Sequence, residues 1–157
     1  MKYLWNDIKK FKKIKGGIFS EYYITPTGYI FVGDGAKIGD EAKIGDFAKI
    51  GNGAEIGDEA KIGDGAKIGD FAKIGDLAKI GDGIICDVSP LHVAGTLHPV
   101  NINGDKIQIG CLCHSVSFWK KNGTKIGKEN GYTEKQIGEY EQYILLCESW
   151  LKIHGRR

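Results

Sequence analysis

An apolar residue recurs at every sixth position through the middle of the chain, from Val32 to Cys86. The positions between these two are all isoleucine, with alanine two residues before each isoleucine and glycine directly after it. The unit reads Ala-Lys-Ile-Gly-Asp-X. An amphipathic helix repeats its apolar stripe about every 3.6 residues, so a period of six predicts short strands separated by turns. Isoleucine fills the interior, alanine leaves room beside it, and glycine permits the turn conformation.

This pattern resembles the hexapeptide-repeat family over residues 30–86. The resemblance implies a left-handed parallel β-helix with three hexads in each triangular coil, and therefore about three coils. One coil cannot bury its own interior, so the coils must stack at the ~4.8 Å spacing of neighbouring strands. The family also implies a homotrimer.

Three hexads make a coil of 18 residues, and this length predicts which side chains lie above one another. Within such columns the middle coil differs from its neighbours, because Asn replaces Asp once and Glu replaces Lys once. Both exchanges interrupt a column of like charges, and we interpret them as electrostatic tuning rather than as a site. The two columns are Asp34, Asn52 and Asp70, and Lys37, Glu55 and Lys73.

The last position of the unit varies, and three of its occupants are large and apolar: Phe47, Phe71 and Leu77. The pattern predicts that all three point outward from the corners of the coils. Either neighbouring segments of the same chain cover them, or they lie in a subunit interface. We favour the interface, because three bulky apolar corners exceed what a short prism is expected to expose alone.

The N-terminal residues 1–15 place Leu4, Ile8, Phe11 and Ile14 near helical spacing among five lysines of residues 9–15. This predicts a short basic amphipathic helix, within a segment 1–17 that caps the first coil. A helix of this kind also suits a membrane surface or nucleic acid, and that alternative stays open. Residues 18–88 form the predicted β-helix, with Ile18–Val32 entering it as strand around a turn at residues 26–28.

The remaining residues 89–157 lose the period and predict a small α+β domain, which leaves the fold class of the whole chain mainly β. Strands are expected at Leu91–Leu97 and Lys106–Cys111, with a hairpin turn at residues 103–105. Ser115 is expected to cap a helix that is interrupted at Asn122-Gly123. Thr133 and Gln136 form a capping-box pattern before a second helix. Its core stripe is Ile137, Tyr140, Ile144, Cys147 and Leu151.

The same C-terminal segment is similar to a module of uncharacterised proteins of phages and their hosts. The matching residues are Ile109-Gly110-Cys111, His114, Trp119, Ile126-Gly127, Tyr132-Thr133 and Glu139-Tyr140. The module implies no established activity. By analogy it suggests sequestration of a signalling nucleotide of the host.

Candidate chemistry lies in this C-terminal domain, where polar residues follow a strand and precede a helix. The start of the helix near Ser115 offers free backbone N–H groups, which favour an anion. Trp119 provides a face on which a base can stack. Structural histidines and a core tryptophan are the competing interpretation. The predicted binding residues for a small anionic, ring-bearing ligand are Thr96, His98, Cys111, His114, Ser115 and Trp119.

Catalysis is the less favoured hypothesis. The hexapeptide family is best known for acyl transfer from acyl-CoA with a histidine as general base. Residues 33–86 contain no histidine, so a base would have to come from His92, His98, His114 or His154. Cys111 and His114 form a weak nucleophile–base pattern. The sequence predicts no cofactor and no metal site, since the four cysteines match no zinc-binding spacing.

Composition narrows these alternatives only slightly. With 41% hydrophobic residues the chain is too apolar for disorder, and 3 prolines with 24 glycines do not fit collagen. A net charge of +2 indicates no polyanionic partner, so nucleic acid is not expected. No apolar run reaches the ~20 residues of a membrane span, and the N-terminus lacks the continuous apolar core expected of a signal peptide. We therefore expect a cytoplasmic protein, in the host cytoplasm if phage-encoded, that is either a trimeric ligand-binding scaffold, an acyltransferase or a structural spacer.

Overall fold

The computed structural model describes residues 1–17 and 20–155 and divides into two compact units, Met1–Pro90 and Leu91–Arg157. The predicted strand entry at Ile18 and Phe19 lies outside the described residues. Apolar side chains form one core cluster in each unit.

The N-terminal segment contains a short helix, but this helix covers one turn instead of the first 15 residues. Residues 13–15 are a strand and not the end of a helix, because their backbone pairs with the strand that follows. Ile14 is consequently half exposed, whereas Ile8 is completely buried in the core cluster. The elements are β1 (Lys2–Leu4), α1 (Trp5–Ile8), β2 (Lys13–Lys15) and β3 (Glu21–Ile24).

The repeat forms a β-solenoid of about three stacked coils, as the period predicts. Its short strands are β4 (Tyr29–Val32), β5 (Lys37–Ile38), β6 (Lys43–Gly45), β7 (Lys49–Ile50), β8 (Glu55–Ile56), β9 (Lys61–Ile62), β10 (Lys67–Ile68), β11 (Lys73–Ile74), β12 (Lys79–Ile80) and β13 (Ile85–Cys86). They build three parallel ladders, β4-β7-β10-β13, β5-β8-β11 and β6-β9-β12. Pairing of Ile38 with Ile56 and of Ile56 with Ile74 sets the 18-residue register.

Two of the three ladders continue into N-terminal strands. β1 pairs antiparallel with β6, and β3 pairs antiparallel with β4. These strands occupy the hydrogen-bonding edge that the first coil would otherwise expose to another chain. The interior of the coils is filled by the isoleucines and alanines of the unit, and most of them are less than 4% exposed.

The predicted columns are present, and the aspartate position ties successive coils together. The backbone N–H of Asp34 donates to the Asn52 side-chain oxygen at 2.8 Å, and the N–H of Asn52 donates to the Asp70 carboxylate at 2.8 Å. An asparagine side-chain oxygen also accepts a hydrogen bond, so Asn52 removes a charge and keeps the bond. In the lysine column, the Lys73 amine lies 3.5 Å from the Glu55 carboxylate.

The repeat glycine does not have the predicted role in the turn. The residue with left-handed backbone is the one two positions after it. The variable position has positive φ in every hexad from 35 to 83, including 60° at Phe47 and 59° at Phe71. The repeat glycine instead lies against the next coil. A Cβ on Gly51 would lie 2.6 Å from the backbone nitrogen of Asp70, closer than non-bonded atoms approach.

One repeat aspartate is buried and holds the segment that precedes the coils. The Asp46 carboxylate is 4% exposed and accepts hydrogen bonds from the hydroxyls of Thr25 and Thr27. The neighbouring Phe47 ring packs edge-on against Tyr29, with 5.3 Å between ring centroids. This corner is therefore partly covered by the chain itself.

The C-terminal unit is an antiparallel four-stranded sheet with two helices, richer in strands than the predicted hairpin. Its elements are β14 (His92–Val93), β15 (Val100–Asn103), β16 (Lys106–Ile109), β17 (Leu112–His114), α2 (Val116–Glu129) and α3 (Glu134–His154). The strand expected at Leu91–Leu97 covers two residues, and neither β15 nor β17 is among the predicted strands. The strand expected to reach Cys111 ends at Ile109, because Gly110 has a positive φ of 58°.

Both helix starts are as predicted, but α2 is not interrupted. Ser115 accepts from the Phe118 N–H, and Thr133 and Gln136 form the complete capping box. The helix continues through Asn122 and Gly123, and the Asn122 side chain donates to the Phe118 carbonyl at 3.0 Å.

We expect the replacement Ile56→Asp to unfold the coils. Ile56 is 3% exposed in the middle coil, and an unpaired buried carboxylate costs several kcal/mol, comparable with the ~5–15 kcal/mol stability of a domain. Lys61→Ala on the exposed side is the control and should change stability by less than ~0.5 kcal/mol. Thermal unfolding, monitored by circular dichroism, gives the melting temperatures of the two variants. Equal melting temperatures would contradict the assignment of Ile56 to the interior and Lys61 to the surface.

Candidate functional site

A cavity of ≈ 110 Å³ lies within the C-terminal unit, between one end of the sheet and the two helices. The sheet side contributes Ile109 and the turn at Gly110-Cys111. The helices face it with the stripes that the sequence assigns to the core, around Trp119 on α2 and Tyr140 on α3. The lining is mostly apolar, which is typical of small-molecule sites.

The structure brings together three of the six predicted binding residues and separates the others. His98, Cys111 and Trp119 line the cavity. Thr96 lies outside the lining, where its hydroxyl donates to the Glu139 carboxylate at 2.8 Å.

The other two predicted residues serve the start of α2. The His114 ring stacks on Phe118, with 3.9 Å between centroids. Ser115 holds the cap of the helix through its bond with the Phe118 N–H. Nearby, the Lys120 amine is paired with the Glu148 carboxylate at 3.1 Å. At the helix start where the sequence predicts an anion site, the Ser115 side chain and the Lys120 amine are therefore already bonded within the protein.

Two tyrosines hold His98 at the cavity. From the sequence, Tyr140 is assigned to the core stripe, and Tyr132 is named only in the similarity to the phage module. The His98 Nδ1 and the Tyr132 hydroxyl form a 2.5 Å hydrogen bond. The Tyr140 hydroxyl accepts from the His98 N–H at 2.6 Å and donates to the His98 carbonyl at 2.7 Å. Tyr140 lies in the predicted core stripe, and its hydroxyl indicates only that some polar partner is needed there, since a buried hydroxyl requires one.

Trp119 forms part of the wall with its polar atom already satisfied. The residue is 4% exposed, and its indole N–H donates to the Ile107 carbonyl at 2.9 Å. Only the ring is left to contact a bound molecule. The two interpretations of Trp119 from the sequence, core and ligand contact, are therefore compatible.

The charge of the lining does not suit an anion. The lining residues include the carboxylate of Glu141 and no lysine or arginine. Outside it, the pKa of Glu139 is held below its usual value by the Thr96 hydroxyl and then by the Tyr143 hydroxyl. Burying a negative ligand group beside Glu141 would require a nearby cation to offset the loss of hydration.

Two glycines of α2 face the cavity, and they differ in what they permit. A Cβ on Gly127 would lie 3.1 Å from the Ile137 side chain, so this glycine lets the two helices approach closely. A Cβ on Gly123 would meet Ile144 at 3.5 Å, an ordinary van der Waals contact. Glycine inside a helix costs about 0.5–1 kcal/mol relative to alanine. Alanine would fit at position 123, so packing between the helices does not require a glycine there. Because Gly123 lines the cavity, its missing side chain leaves space in it.

The comparisons with known proteins concern the first unit. Residues 29–69 match the family model described as bacterial transferase hexapeptide, six repeats. The repeat segment is a hexapeptide repeat. Comparison with curated proteins and with solved structures gave no match. The similarity of the C-terminal unit to a phage-associated module has no support from these comparisons.

The hexapeptide-repeat segment carries no histidine, and residues 1–90 contain none. Among the described residues, no cluster of three or more histidine, cysteine or acidic side chains could hold a metal ion. Nor does any helix in the described ranges have the length and apolar character to cross a membrane.

The cysteines of the C-terminal unit differ in environment. Cys111 is exposed at the cavity, whereas Cys147 is completely buried. Burial raises the pKa of the Cys147 thiol to about 11, and it also raises the pKa of Cys113. Cys111 and His114 share no hydrogen bond within the described part of the chain, so their geometry does not build a nucleophile–base pair.

We expect iodoacetamide at about pH 8 to label Cys111 rapidly in the folded protein and to leave Cys147 unmodified. With a pKa of about 11, only ~0.1% of the Cys147 thiol is ionised at that pH, and the sulfur is also inaccessible. Peptide mass spectrometry gives the two labelling rates. Urea-unfolded protein is the control, in which both cysteines should react similarly. Equal rates in the folded protein would contradict the position of α3.

Proposed function

We propose that the protein is a non-catalytic, homotrimeric scaffold in which the β-solenoid holds together C-terminal units that bind a small ligand. The observation that carries the ligand-binding half is the cavity, with His98 fixed at its rim and Gly123 leaving space inside it. The repeat runs through the coils without a projecting loop. Functional residues are often carried on loops held by a rigid scaffold, so the uninterrupted coils support the scaffold half of the proposal. The cytoplasmic location remains a prediction from the sequence.

The proposed trimer contact involves the two corners that the chain leaves most open. Phe71 is 75% exposed and Leu77 is 50% exposed, and they lie at either end of β11. Phe47, at the third corner, is 47% exposed, but its ring packs on Tyr29, and we leave it outside the proposed contact for that reason. Phe71 and Leu77 thus flank one face of the solenoid, which is the face we assign to the contact.

The nucleotide-type ligand and the phage connection rest on the similarity of the C-terminal segment, and the cavity does not favour them. Its volume suits one ring system rather than a base, a sugar and a phosphate together. Its lining offers no lysine or arginine to a phosphate. A phosphate would have to lie outside the cavity, in solvent.

Acyl transfer is the second candidate, because the matching family is described as a transferase family. A general base would have to come from one of the four histidines, all of which follow residue 91. Stabilisation of the protein by coenzyme A, measured as a shift in melting temperature, distinguishes this candidate from the scaffold. A scaffold should show no such shift.

We expect the wild-type protein to be a trimer by light scattering at micromolar concentration, and Phe71→Gly with Leu77→Glu to make it monomeric. Each replacement introduces a residue found in the same column of the solenoid, Gly53 below Phe71 and Glu59 below Leu77. Both residues therefore suit the left-handed backbone at these corners. The double variant should still unfold cooperatively on heating, as a monomer.

Lys61→Ala is the control for this experiment and should remain trimeric. A monomeric mass for the wild type would remove the scaffold half of the proposal. A trimer that survives the double variant would place the contact on another face.

A further inference from the structure

We propose that the cavity of the C-terminal unit binds a small, uncharged molecule with a single aromatic ring, of the size of phenol. This inference rests on the proposed ligand-binding function and specifies the chemical class of the ligand. Nothing in the family match concerns this unit, since the matched residues end at position 69.

The volume sets the size of the ligand. An engineered apolar protein cavity of about 150 Å³ holds benzene. The cavity at Trp119 measures ≈ 110 Å³, less than that engineered cavity, and its lining includes the exposed residues His98 and Cys111. A single six-membered ring therefore enters with one edge left at these exposed residues, whereas a fused ring system with further substituents exceeds the enclosed space.

The walls set the chemistry of the enclosed part. Trp119, Tyr132 and Tyr140 supply aromatic surface, and isoleucines 109, 126, 137 and 144 supply the rest. The deep polar atoms are engaged: the Trp119 N–H with the Ile107 carbonyl, and the Tyr140 hydroxyl with the His98 backbone. A ring packs on such walls edge-on or offset, without leaving a polar group unpaired.

The rim sets the polar end of the ligand. We take the exposed polar residues of the lining, His98, Asn130 and Glu141, as this rim, together with the exposed Cys111. Glu141 already accepts from the Thr124 hydroxyl at 2.8 Å, and a carboxylate has room for a second donor. A hydroxyl on the ring can donate to this rim, whereas a carboxylate on the ring would face Glu141 without a lysine or arginine in the lining.

Gly123 is the position at which a single substitution can test the proposed ligand site. Gly123 lines the cavity, and a Cβ there would lie 3.5 Å from Ile144 and 3.8 Å from Trp119, which line it too, so a larger side chain would compete with a ligand for this space. Gly138, on α3, is the matched position outside the cavity, with no atom within 4 Å of a Cβ. Leucine is a good helix former at either position, so the two replacements differ mainly in whether they fill the cavity.

The experiment titrates the full-length protein with phenol and records amide chemical shifts by NMR. We expect shifts at residues 98, 111, 123 and 140, with a Kd of about 1 mM or tighter. Gly123→Leu should weaken phenol binding by about tenfold or more, and Gly138→Leu should leave it unchanged. Benzoate should bind the wild type about tenfold more weakly than phenol. If Gly123→Leu does not fold, Gly123→Ala should give a smaller loss in the same direction.

Phenol binding that survives Gly123→Leu overturns the proposed position. Binding of benzoate or adenosine monophosphate at these residues, without phenol, overturns the ligand class and leaves the proposed function standing. If none of the three probes moves these residues, this inference falls, and the ligand-binding half of the proposed function loses the cavity that carries it. The trimer is tested separately, by light scattering.

Discussion

The first unit depends on how closely one coil can approach the next. At Gly51 the missing Cβ leaves the backbone of Asp70 room to pass, and the same arrangement recurs along the repeat at Gly33, Gly39, Gly45, Gly57 and Gly63. This close approach lets each aspartate position bond to the backbone of the preceding coil, as between Asn52 and Asp70. It also brings the isoleucines into register, which buries an interior that no single coil could bury.

The sequence predicts this unit well because the signal is local and repeats. A period of six determines which residues face inward, and the 18-residue coil determines the columns. The role of the glycine was misassigned because the contact it permits is with a residue 19 positions later. The N-terminal helix was overextended for a related reason: apolar spacing near 3.6 does not reveal that residues 13–15 have strand β3 as a partner.

The candidate site was only half predictable, because a cavity depends on contacts between distant elements. Their positions after a predicted strand and around a predicted helix start singled out His98, Cys111 and Trp119, which the fold brings together around the cavity. The same reasoning grouped Ser115 and His114 with them, although Ser115 caps α2 and the His114 ring stacks on Phe118. Tyr132 and Tyr140 carry no pattern that distinguishes a core residue from one that also holds a histidine in place. From the sequence alone, Gly123 predicts an interruption of the helix, because the cavity beside it is visible only in the structure.

The most direct test of the coil-stacking account compares two glycine replacements by chemical unfolding. Gly51→Ala should destabilise the protein by about 1–3 kcal/mol or more, because the added methyl group lies against backbone that cannot rotate away. Gly65→Asn should cost about 1 kcal/mol or less, since Gly65 has a φ of 66° with open space around it and asparagine tolerates that backbone conformation. A greater loss at Gly65 than at Gly51 would contradict the account, because left-handed turns rather than close stacking would then limit the fold.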